Sequence, residues 1–315
     1  MARVDILTPF HNTPIEWVRQ AIESVQAQTF GDWKLILVDD GSSAEAAAAL
    51  NDLVRTVADG RVISLRIPNG GPAAARNAAI RASDSDYLAI LDSDDMWYAR
   101  KLELQVPYLD HHRDVALVHA NHDVLNPDGS RRPGRRTLPN FNQLTQDEII
   151  ARTIVNNIVG HGESLFRRSA AESVGLYDER LRTVEDKDLL VRMLIAGHKY
   201  VHLDETVYLY RLHLSNSTKN VVGQLEGRLQ LVEKMDRQLG DTEAGARLAW
   251  PTLKRHVTQL AWRQAVEGYL DRRDYREAFR YALPAYCGWS GYTGKLVLRC
   301  AYGVLVRGSA RRQSA

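Results

Sequence analysis

Two aspartates separated by one residue follow an apolar run in the first hundred residues. The run Tyr87 to Leu91 is typical of a buried strand, and Asp92-Ser93-Asp94 comes directly after it. Alternate side chains at a strand end can point the same way, so the two carboxylates can converge. Hard carboxylate oxygens suit Mg²⁺ or Mn²⁺, with substrate phosphate oxygens completing the shell. The alternative is a turn that caps the next helix; the accompanying motifs favour the metal site.

A second acidic motif, Val38-Asp39-Asp40-Gly41-Ser42, also ends an apolar run. A carboxylate at a strand end can accept a hydrogen bond from a nucleobase N–H or from a ribose hydroxyl. An ordinary Asp-Gly turn explains the same residues equally well.

A glycine-rich turn at Asn69 to Pro72 precedes a third helical stretch. Gly70 and Gly71 permit a close approach of the backbone, and the start of a helix favours an anion. Arg76 lies one turn further on and could reach a phosphate or the nucleoside. The alternative is a plain glycine turn followed by a surface arginine.

An acidic pair, Glu185-Asp186, stands at the predicted start of a helix that runs from Val184 to Ala196. The helix macrodipole favours acids in the first turn, which is a sufficient structural explanation. A carboxylate in this place could also act as a general base.

Strands and helices alternate along the region that carries these motifs. We predict strands at 4–7, 34–38, 62–67 and 87–91, with helices after the first three. Thr13 and Glu16 form a predicted capping box with Pro14 at the first helical position, and Ser42 or Ser43 caps the second helix, which ends at Val57. Strands separated by single helices pair in parallel, and ligands bind beyond their carboxyl ends. The polar motifs fall at those ends.

The rest of the chain is less regular up to about residue 220. We predict a turn at Asn126 to Gly129, a basic loop at Arg131 to Arg136 and a strand at Thr206 to Tyr210. Residues 223–282 have charged, helical spacing, and 270–278 resembles one helical-hairpin repeat. From Leu283 onward there are no acids, and basic residues stand among apolar ones.

The composition excludes several classes of protein. A chain of 315 residues with 44% hydrophobic and 25% charged residues has enough apolar material for a sizeable core. The net charge of +2 gives no electrostatic case for nucleic acid as a partner. Two cysteines, Cys287 and Cys300, fit no zinc pattern and no disulfide framework, which indicates a reducing compartment. We expect no signal peptide and no spanning helix.

Taken together, the motifs resemble those of the family 2 glycosyltransferases of the GT-A fold. The resemblance covers roughly residues 1–220, and its members stand in the family's order and spacing. It is carried by Ile6 to Asn12, Ser24 with Gln28-Thr29, Val38 to Ser42, Gly70 with Ala75 to Asn77, Leu91 to Asp95, Glu185-Asp186, and Tyr210-Arg211 with His213 and Ser217. Ala99 departs from the proline that many members have, which affects a helix start only.

The resemblance implies a role in donor binding for several positions. Thr8, Pro9 and Phe10 would line the base pocket through backbone and side-chain contacts. Asp40 would accept the imide N–H of a pyrimidine, and Arg76 would lie near the nucleoside or diphosphate.

The resemblance also implies the metal site and the base. Asp94 would bind Mg²⁺ or Mn²⁺ directly, and Asp92 would hold the ribose or a metal-bound water. His213 would lie near the metal and the diphosphate. Asp186 would be the catalytic base.

The resemblance predicts an α/β protein of the GT-A type, with a Rossmann-like, mostly parallel sheet flanked by helices. Residues 1–98 would form the nucleotide-sugar half and residues 99–219 the acceptor-binding and catalytic half. Residues 220–315 would form a helical extension, packed on the catalytic domain or lying on a membrane surface through its basic tail.

The predicted function is inverting transfer of a sugar from a nucleotide-diphosphate sugar to an acceptor hydroxyl, in polysaccharide or glycolipid synthesis. The partners would be that donor and a glycan or glycolipid acceptor, with the protein in the cytoplasm or at the inner face of the membrane. Uracil, thymine and guanine all present a ring N–H, and we rank UDP before dTDP and GDP. A metal-dependent sugar nucleotidyltransferase and a non-catalytic sugar-nucleotide-binding protein are the alternatives.

Overall fold

A computed structural model of the chain describes residues 2–134, 136–216, 219–271, 274, 277, 278 and 280. Contacts between residues divide the chain into two compact units, residues 1–213 and residues 214–315. Every candidate site residue lies in the first unit. The assignment of residues 1–98 and 99–219 to donor and acceptor halves stays a prediction.

Strands and helices alternate through the first unit, and helices alone follow in the described part of the second. The strands are β1 Val4–Phe10, β2 Trp33–Asp40, β3 Val62–Ile67, β4 Tyr87–Ile90, β5 Met96–Trp97, β6 Val115–Leu125, β7 Arg131–Pro133, β8 Leu165–Arg167 and β9 Lys199–Arg211. The helices are α1 Ile15–Gln26, α2 Ala44–Val57, α3 Pro72–Arg81, α4 Lys101–His111, α5 Gln146–Asn156, α6 Arg168–Glu172, α7 Glu185–Ile195, α8 Val221–Leu239, α9 Glu243–Arg247 and α10 Trp250–Asp271, with a 3₁₀ turn at Phe141–Gln143.

Within the described residues the strands form one nine-stranded sheet of order β3-β2-β1-β4-β8-β6-β9-β5, with β7 paired to β6. The first four strands are parallel, with Ile6 level with Leu35 on β2 and with Ala89 on β4. Strand β8 then runs antiparallel to β4 and β6, whereas β6 and β9 are parallel. The predicted α/β fold with parallel β1 to β4 is confirmed.

The core of the first unit lies against the sheet and explains why these segments fold as they do. Strand β1 is buried on both faces, which its continuous apolar run requires. Helix α1 buries Val18, Ile22 and Val25, the face predicted from their spacing. Burial of these side chains in one cluster with residues of β1 and β2 holds α1 against the sheet.

Three local predictions can be compared with the structure. Ser43 caps α2 by accepting from the backbone N–H of Ala46, as predicted. The capping box at Thr13 is wrong, because α1 begins at Ile15 with no side-chain cap, and the Thr13 hydroxyl lies 2.7 Å from that of Ser93 instead. The basic loop is also partly wrong, since Arg131–Pro133 pairs with β6 as a strand; basic residues suit an edge strand.

The second unit is helical where it is described, which confirms the pattern predicted after residue 223. Helices α8 and α10 pack together through Leu225, Ala261 and Ala265. Four residues of the repeat-like stretch 270–278, at positions 272, 273, 275 and 276, and the whole basic tail after Leu283 lie outside the described residues. Among the helices of the described part, none is long and apolar enough to cross a membrane.

Lys101 is a fully buried cation at the start of α4. Its Nζ donates to Gln105 Oε1 at 2.9 Å and to the carbonyl of Ser164 at 3.3 Å, and it lies 4.9 Å from the centre of the Trp97 ring. Burial lowers the pKa of Lys101 to about 7, although the charge of Glu163 acts in the opposite direction. Protonation of this amine is therefore costly in the folded state.

This burial predicts a pH-dependent stability. Above pH 7 the unfolded chain keeps a proton on Lys101 that the folded chain has released, so stability rises with pH until the lysine also deprotonates in the unfolded chain. Lys101→Met should remove this slope, which is at most about 1.4 kcal/mol per pH unit. Urea unfolding of both proteins from pH 7 to pH 9.5 measures the difference. If the free energies of unfolding of the two proteins changed with pH in parallel, the lowered pKa of Lys101 would be contradicted.

Candidate functional site

The carboxyl ends of β1 and β2 are tied together by polar side chains. Asn12, with φ of 53°, donates its backbone N–H to Ser42 Oγ at 3.0 Å and accepts from the backbone N–H of Ser43 at 2.9 Å. His11 Nδ1 lies 2.9 Å from the carbonyl oxygen of Asp40. Neighbouring strands thus bring their polar ends to one edge of the sheet, as the parallel pairing predicted.

Asp40 is buried and holds the glycine turn that precedes α3. The backbone N–H groups of Gly70 and Gly71 donate to its two carboxylate oxygens at 2.6 and 2.8 Å. Gly41 has φ of 66°, and a Cβ there would lie 2.7 Å from the backbone nitrogen of Asn69. The glycines therefore serve the fit between the two loops. Oδ2 also accepts from the Asn69 side-chain amide at 3.4 Å, so Oδ1, which accepts from Gly70, is the oxygen with a further lone pair for a ligand.

Thr8, Pro9 and Phe10 occupy the end of β1. The side chains of Thr8 and Phe10 are buried, and Phe10 belongs to the main apolar core, whereas Pro9 is half-buried. Thr8 Oγ1 has no hydrogen-bond partner within the described residues. Of these three side chains, that of Pro9 is the most exposed, and the predicted base contacts of the segment stay a prediction.

Arg76 lies in the interior, where its guanidinium bridges two carboxylates. Nη1 donates to Glu185 Oε1 at 2.6 Å and Nη2 to Asp92 Oδ1 at 2.9 Å. The Tyr177 ring lies 5.7 Å from the guanidinium carbon. Burial acts to lower the pKa of Arg76, but the charges of Asp92 and Glu185 outweigh it and raise the pKa. The alternative of a surface arginine is wrong.

Glu185 is the buried partner of this arginine at the start of α7. Burial raises the pKa of Glu185 to about 7, with Asp186 acting in the same direction and Arg76 against it. Val184, just before it, has φ of 57°, which is rare for a β-branched residue. Such strain persists only where the surroundings enforce it and is often found at functional sites.

Asp186 differs from its neighbour in surroundings. Its side chain is half-buried, and Oδ1 accepts from the backbone N–H of Lys187 at 2.7 Å. Glu185 is turned inward to Arg76, so the pair is divided into one inward carboxylate and one accessible carboxylate.

Asp92 and Asp94 follow β4 on the other side of Arg76. The Asp92 side chain is 45% exposed, and the Asp94 side chain, 25% exposed, lies with Oδ2 2.8 Å from His213 Nε2. Burial raises the pKa of Asp94, as does the charge of Asp92, whereas His213 lowers it. Asp94 and His213 are thus in contact beside Asp92, and a metal shared by this cluster of three side chains stays a prediction.

This cluster fits a divalent cation in the chemistry of its donors. The two carboxylates suit Mg²⁺ or Mn²⁺, whereas the imidazole is a ligand more typical of zinc, copper, iron or nickel. No group of three or more His, Cys, Asp or Glu side chains in the described part of the chain is arranged to hold a metal ion. A metal here would need further oxygens, which a diphosphate offers.

Asp95, next to Asp94 in the chain, binds two residues of β9. It is buried and accepts from the Tyr208 hydroxyl at 2.6 Å and from the backbone N–H of Arg211 at 2.7 Å. The Arg211 Nε donates to the carbonyl of Asp94 at 2.7 Å. These contacts join β9 to the aspartate turn and so place His213, two residues beyond Arg211. Ser217 lies outside the described residues.

The sequence analysis did not identify two features of the site: the hydrogen bond from Tyr208 to Asp95, and the loop at residues 160–164, which packs against Tyr208. The residues Gly160-His161-Gly162-Glu163 carry one available signal, two glycines that alternate with polar side chains in an irregular segment. Without a fold, the pattern is indistinguishable from an ordinary turn.

Comparisons of sequence support a family assignment. Residues 5–175, more than half of the chain, match the family model described as glycosyl transferase family 2. The putative glycosyltransferase EpsE of Bacillus subtilis is 30% identical over 194 residues, which are 61% of this chain and 67% of that protein.

Longer relatives share only part of their length with this chain. The chondroitin synthase of Pasteurella multocida is 26% identical over 237 residues, 75% of this chain and 23% of the synthase. An uncharacterized glycosyltransferase of Rickettsia bellii is 33% identical over 128 residues, 41% of this chain and 18% of that protein. The chain thus spans about a fifth of these relatives.

Solved structures show the same fold. TarS 1-349 of S. aureus, in complex with UDP-GlcNAc, superposes with a TM-score of 0.62 at 14% identity and covers 96% of this chain and 87% of that one. The mannosyltransferase PcManGT of Pyrobaculum calidifontis, in complex with GDP-Man and Mn²⁺, gives 0.59 at 16% identity, with coverage of 99% and 83%. The GT-A fold is therefore confirmed.

The buried contact between Arg76 and Glu185 predicts strong energetic coupling. Arg76→Met leaves Glu185 buried without a partner, which should lower the free energy of unfolding by about 3–5 kcal/mol. Glu185→Gln in the Arg76→Met background removes that charge and should recover part of the loss. Urea unfolding of both single variants and the double variant gives the coupling. Additive losses would show that the two side chains act independently.

Proposed function

The chain belongs to glycosyl transferase family 2, and on that premise we propose that it transfers a sugar from a nucleotide-diphosphate sugar to an acceptor hydroxyl with inversion. The observation that carries the proposal is the placement of two sets of carboxylates on opposite sides of Arg76. Asp92 and Asp94 lie on one side with His213, and Glu185, followed in the chain by the half-buried Asp186, lies on the other.

The donor would lie along the carboxyl ends of β1, β2 and β4. Asp40 Oδ1 would accept from a base N–H, and the half-buried Pro9, level with Val38 on β2, would line the base pocket. Thr8, Phe10 and the buried Arg76 would act from behind this surface. TarS was solved with a uridine nucleotide and PcManGT with a guanosine nucleotide; we keep the order UDP, dTDP, GDP.

Asp94, Asp92 and His213 would hold the metal together with the donor diphosphate. When bound, Mg²⁺ or Mn²⁺ supplies a Lewis acid for the negative charge that grows on the leaving diphosphate. The residues of this chain would fix the diphosphate at that end, so that the opposite face of the sugar is left to the acceptor.

Asp186 would act as the general base on the acceptor side. The acceptor oxygen forms a bond to the anomeric carbon while the bond from that carbon to the diphosphate breaks, and the acceptor proton passes to Asp186. One displacement of this kind inverts the anomeric configuration. Glu185 is unsuited to the role because its carboxylate is turned inward to Arg76.

A nucleotidyltransferase is the competing enzyme. It would release pyrophosphate from a nucleoside triphosphate, whereas a glycosyltransferase releases a nucleoside diphosphate. The acceptor-side carboxylate favours sugar transfer, since nucleotidyl transfer needs no base at the anomeric carbon. We place the reaction in the assembly of a polysaccharide or glycolipid.

Asp186→Asn should abolish most transfer while the fold is kept. The amide preserves the shape and the contact with the Lys187 N–H but removes the basic oxygen, so we expect a rate lower by about 10²–10⁴-fold. Nucleotide affinity and melting temperature should stay close to those of the parent protein. Turnover of a radiolabelled donor provides the measurement.

Asp84→Asn is the matched control, because Asp84 is exposed and precedes β4 at the opposite end of that strand. The control should keep full activity. If Asp186→Asn also keeps it and Glu185→Gln is inactive, the base is Glu185 instead.

Metal dependence is the next expected outcome. Removal of divalent ions with EDTA should stop transfer, and added Mn²⁺ should restore it. Asp94→Ala should abolish transfer and weaken the binding of uridine diphosphate in the presence of Mn²⁺, as titration calorimetry can show. Full activity in excess EDTA would reject the metal.

A further inference from the structure

A small cavity lies among β6, the end of α5 and the loop that precedes β8. Its volume is about 80 Å³, and its lining includes both polar and apolar side chains. The residues that bear on its use are His122, Arg136, Leu138, Asn157, Ile158 and Glu163. Since one water molecule needs about 10–15 Å³ of such a cavity, a few hydroxyl groups fit into this space, whereas a nucleotide does not.

The cavity contains a histidine–carboxylate pair. His122 Nδ1 lies 2.5 Å from Glu163 Oε1, and the two side chains are 23% and 11% exposed. A Cβ at Gly134 would overlap the His122 ring, and a Cβ at Gly160 would overlap the Glu163 carboxylate. The backbone on both sides thus comes close enough to fix the orientation of the pair.

The charges around the cavity select the type of ligand. The Arg136 guanidinium is neutralised by Asp123 at 2.9 Å and also donates to Thr206 Oγ1 at 2.8 Å. With Arg136 so engaged and the Glu163 carboxylate present, an anionic ligand is disfavoured. Leu138 and Ile158 add apolar contact. A neutral group rich in hydroxyls, with one apolar face, suits this combination.

The loop at residues 160–164 connects the cavity to the proposed catalytic centre. Gly162 lies directly on the Tyr208 ring, with a Cβ position 2.5 Å from Cζ, and the Tyr208 hydroxyl donates to Asp95 beside the metal cluster. His161 Nε2 lies 2.8 Å from the Tyr177 hydroxyl, and the Tyr177 ring lies near Arg76. Consecutive residues of the loop therefore reach both sides of the centre as well as the cavity.

We propose that this cavity is an acceptor subsite that binds hydroxyl groups of a neutral sugar through Glu163 and His122. The carboxylate accepts from one hydroxyl, the imidazole contacts a neighbouring one, and the amide of Asn157 completes the rim. The inference rests on the proposed function, because it supplies the acceptor for that transfer. Glu163 and His122 are binding groups and take no part in proton transfer.

The test measures binding of simple glycosides by saturation-transfer NMR. The probes are the methyl β-glycosides of glucose, galactose and N-acetylglucosamine, with methyl β-glucuronide as the anionic comparison. At least one neutral glycoside should bind, and Glu163→Gln should weaken it about tenfold or more, because a site that loses a hydrogen bond to a substrate hydroxyl discriminates strongly. Binding of uridine diphosphate with Mn²⁺ and the melting temperature serve as checks of folding.

A second variant keeps the inference testable if Glu163→Gln misfolds. Asn157 has φ of 50° at the end of α5, so Asn157→Gly keeps a favourable backbone and removes only the side chain. It should also weaken the neutral glycoside. Glu23→Gln, on the exposed face of α1, is the matched control and should bind as the parent does.

The outcomes separate this inference from the function on which it rests. Glycoside binding that depends on Glu163 and Asn157 supports a sugar-binding site in this cavity. Failure of the protein to cleave any nucleotide sugar is a separate result, which would reject the proposed transferase function. The subsite is overturned if no neutral glycoside binds the parent protein, if the glucuronide binds best, or if neither Glu163→Gln nor Asn157→Gly weakens binding.

Discussion

The guanidinium of Arg76 is buried between the carboxylates of Glu185 and Asp92, two residues of the first unit that lie far apart in the sequence. A lone cation in this place would be costly, and each carboxylate lowers that cost. The contact joins α3 and the end of β4 to the start of α7. Because the pairs need short distances, they restrict where α7 can begin, and Val184, just before that helix, has a left-handed φ of 57°.

The functional arrangement follows from that restriction. Asp92 remains half exposed beside Asp94, where on our proposal a metal and a diphosphate would bind, and the half-buried Asp186 follows Glu185 at the start of α7. The proposed leaving group and base would thereby be separated, which is the geometry that a single displacement requires. The 160–164 loop, in contact with Tyr177 and Tyr208, extends the same framework to the proposed acceptor cavity.

Much of the donor side could be predicted from sequence because its signals are local. Apolar runs predicted the strands, and parallel pairing placed Asp40 and Asp92 at one edge of the sheet. Contacts between distant residues were beyond such patterns: Arg76 and Glu185 are 109 positions apart. Thr13 shows that a local pattern can also mislead. Its hydroxyl contacts Ser93, which follows another strand, and does not cap the helix that begins just after Thr13.

The stereochemistry of donor cleavage tests the central claim most directly. A panel of α-linked nucleotide-diphosphate sugars, incubated with the protein and Mn²⁺, identifies a donor that is hydrolysed or transferred. Proton NMR of the anomeric signal in the first minutes then shows the configuration of the product before it equilibrates. A single displacement with base and leaving group on opposite sides predicts the β anomer. First appearance of the α anomer would contradict the account.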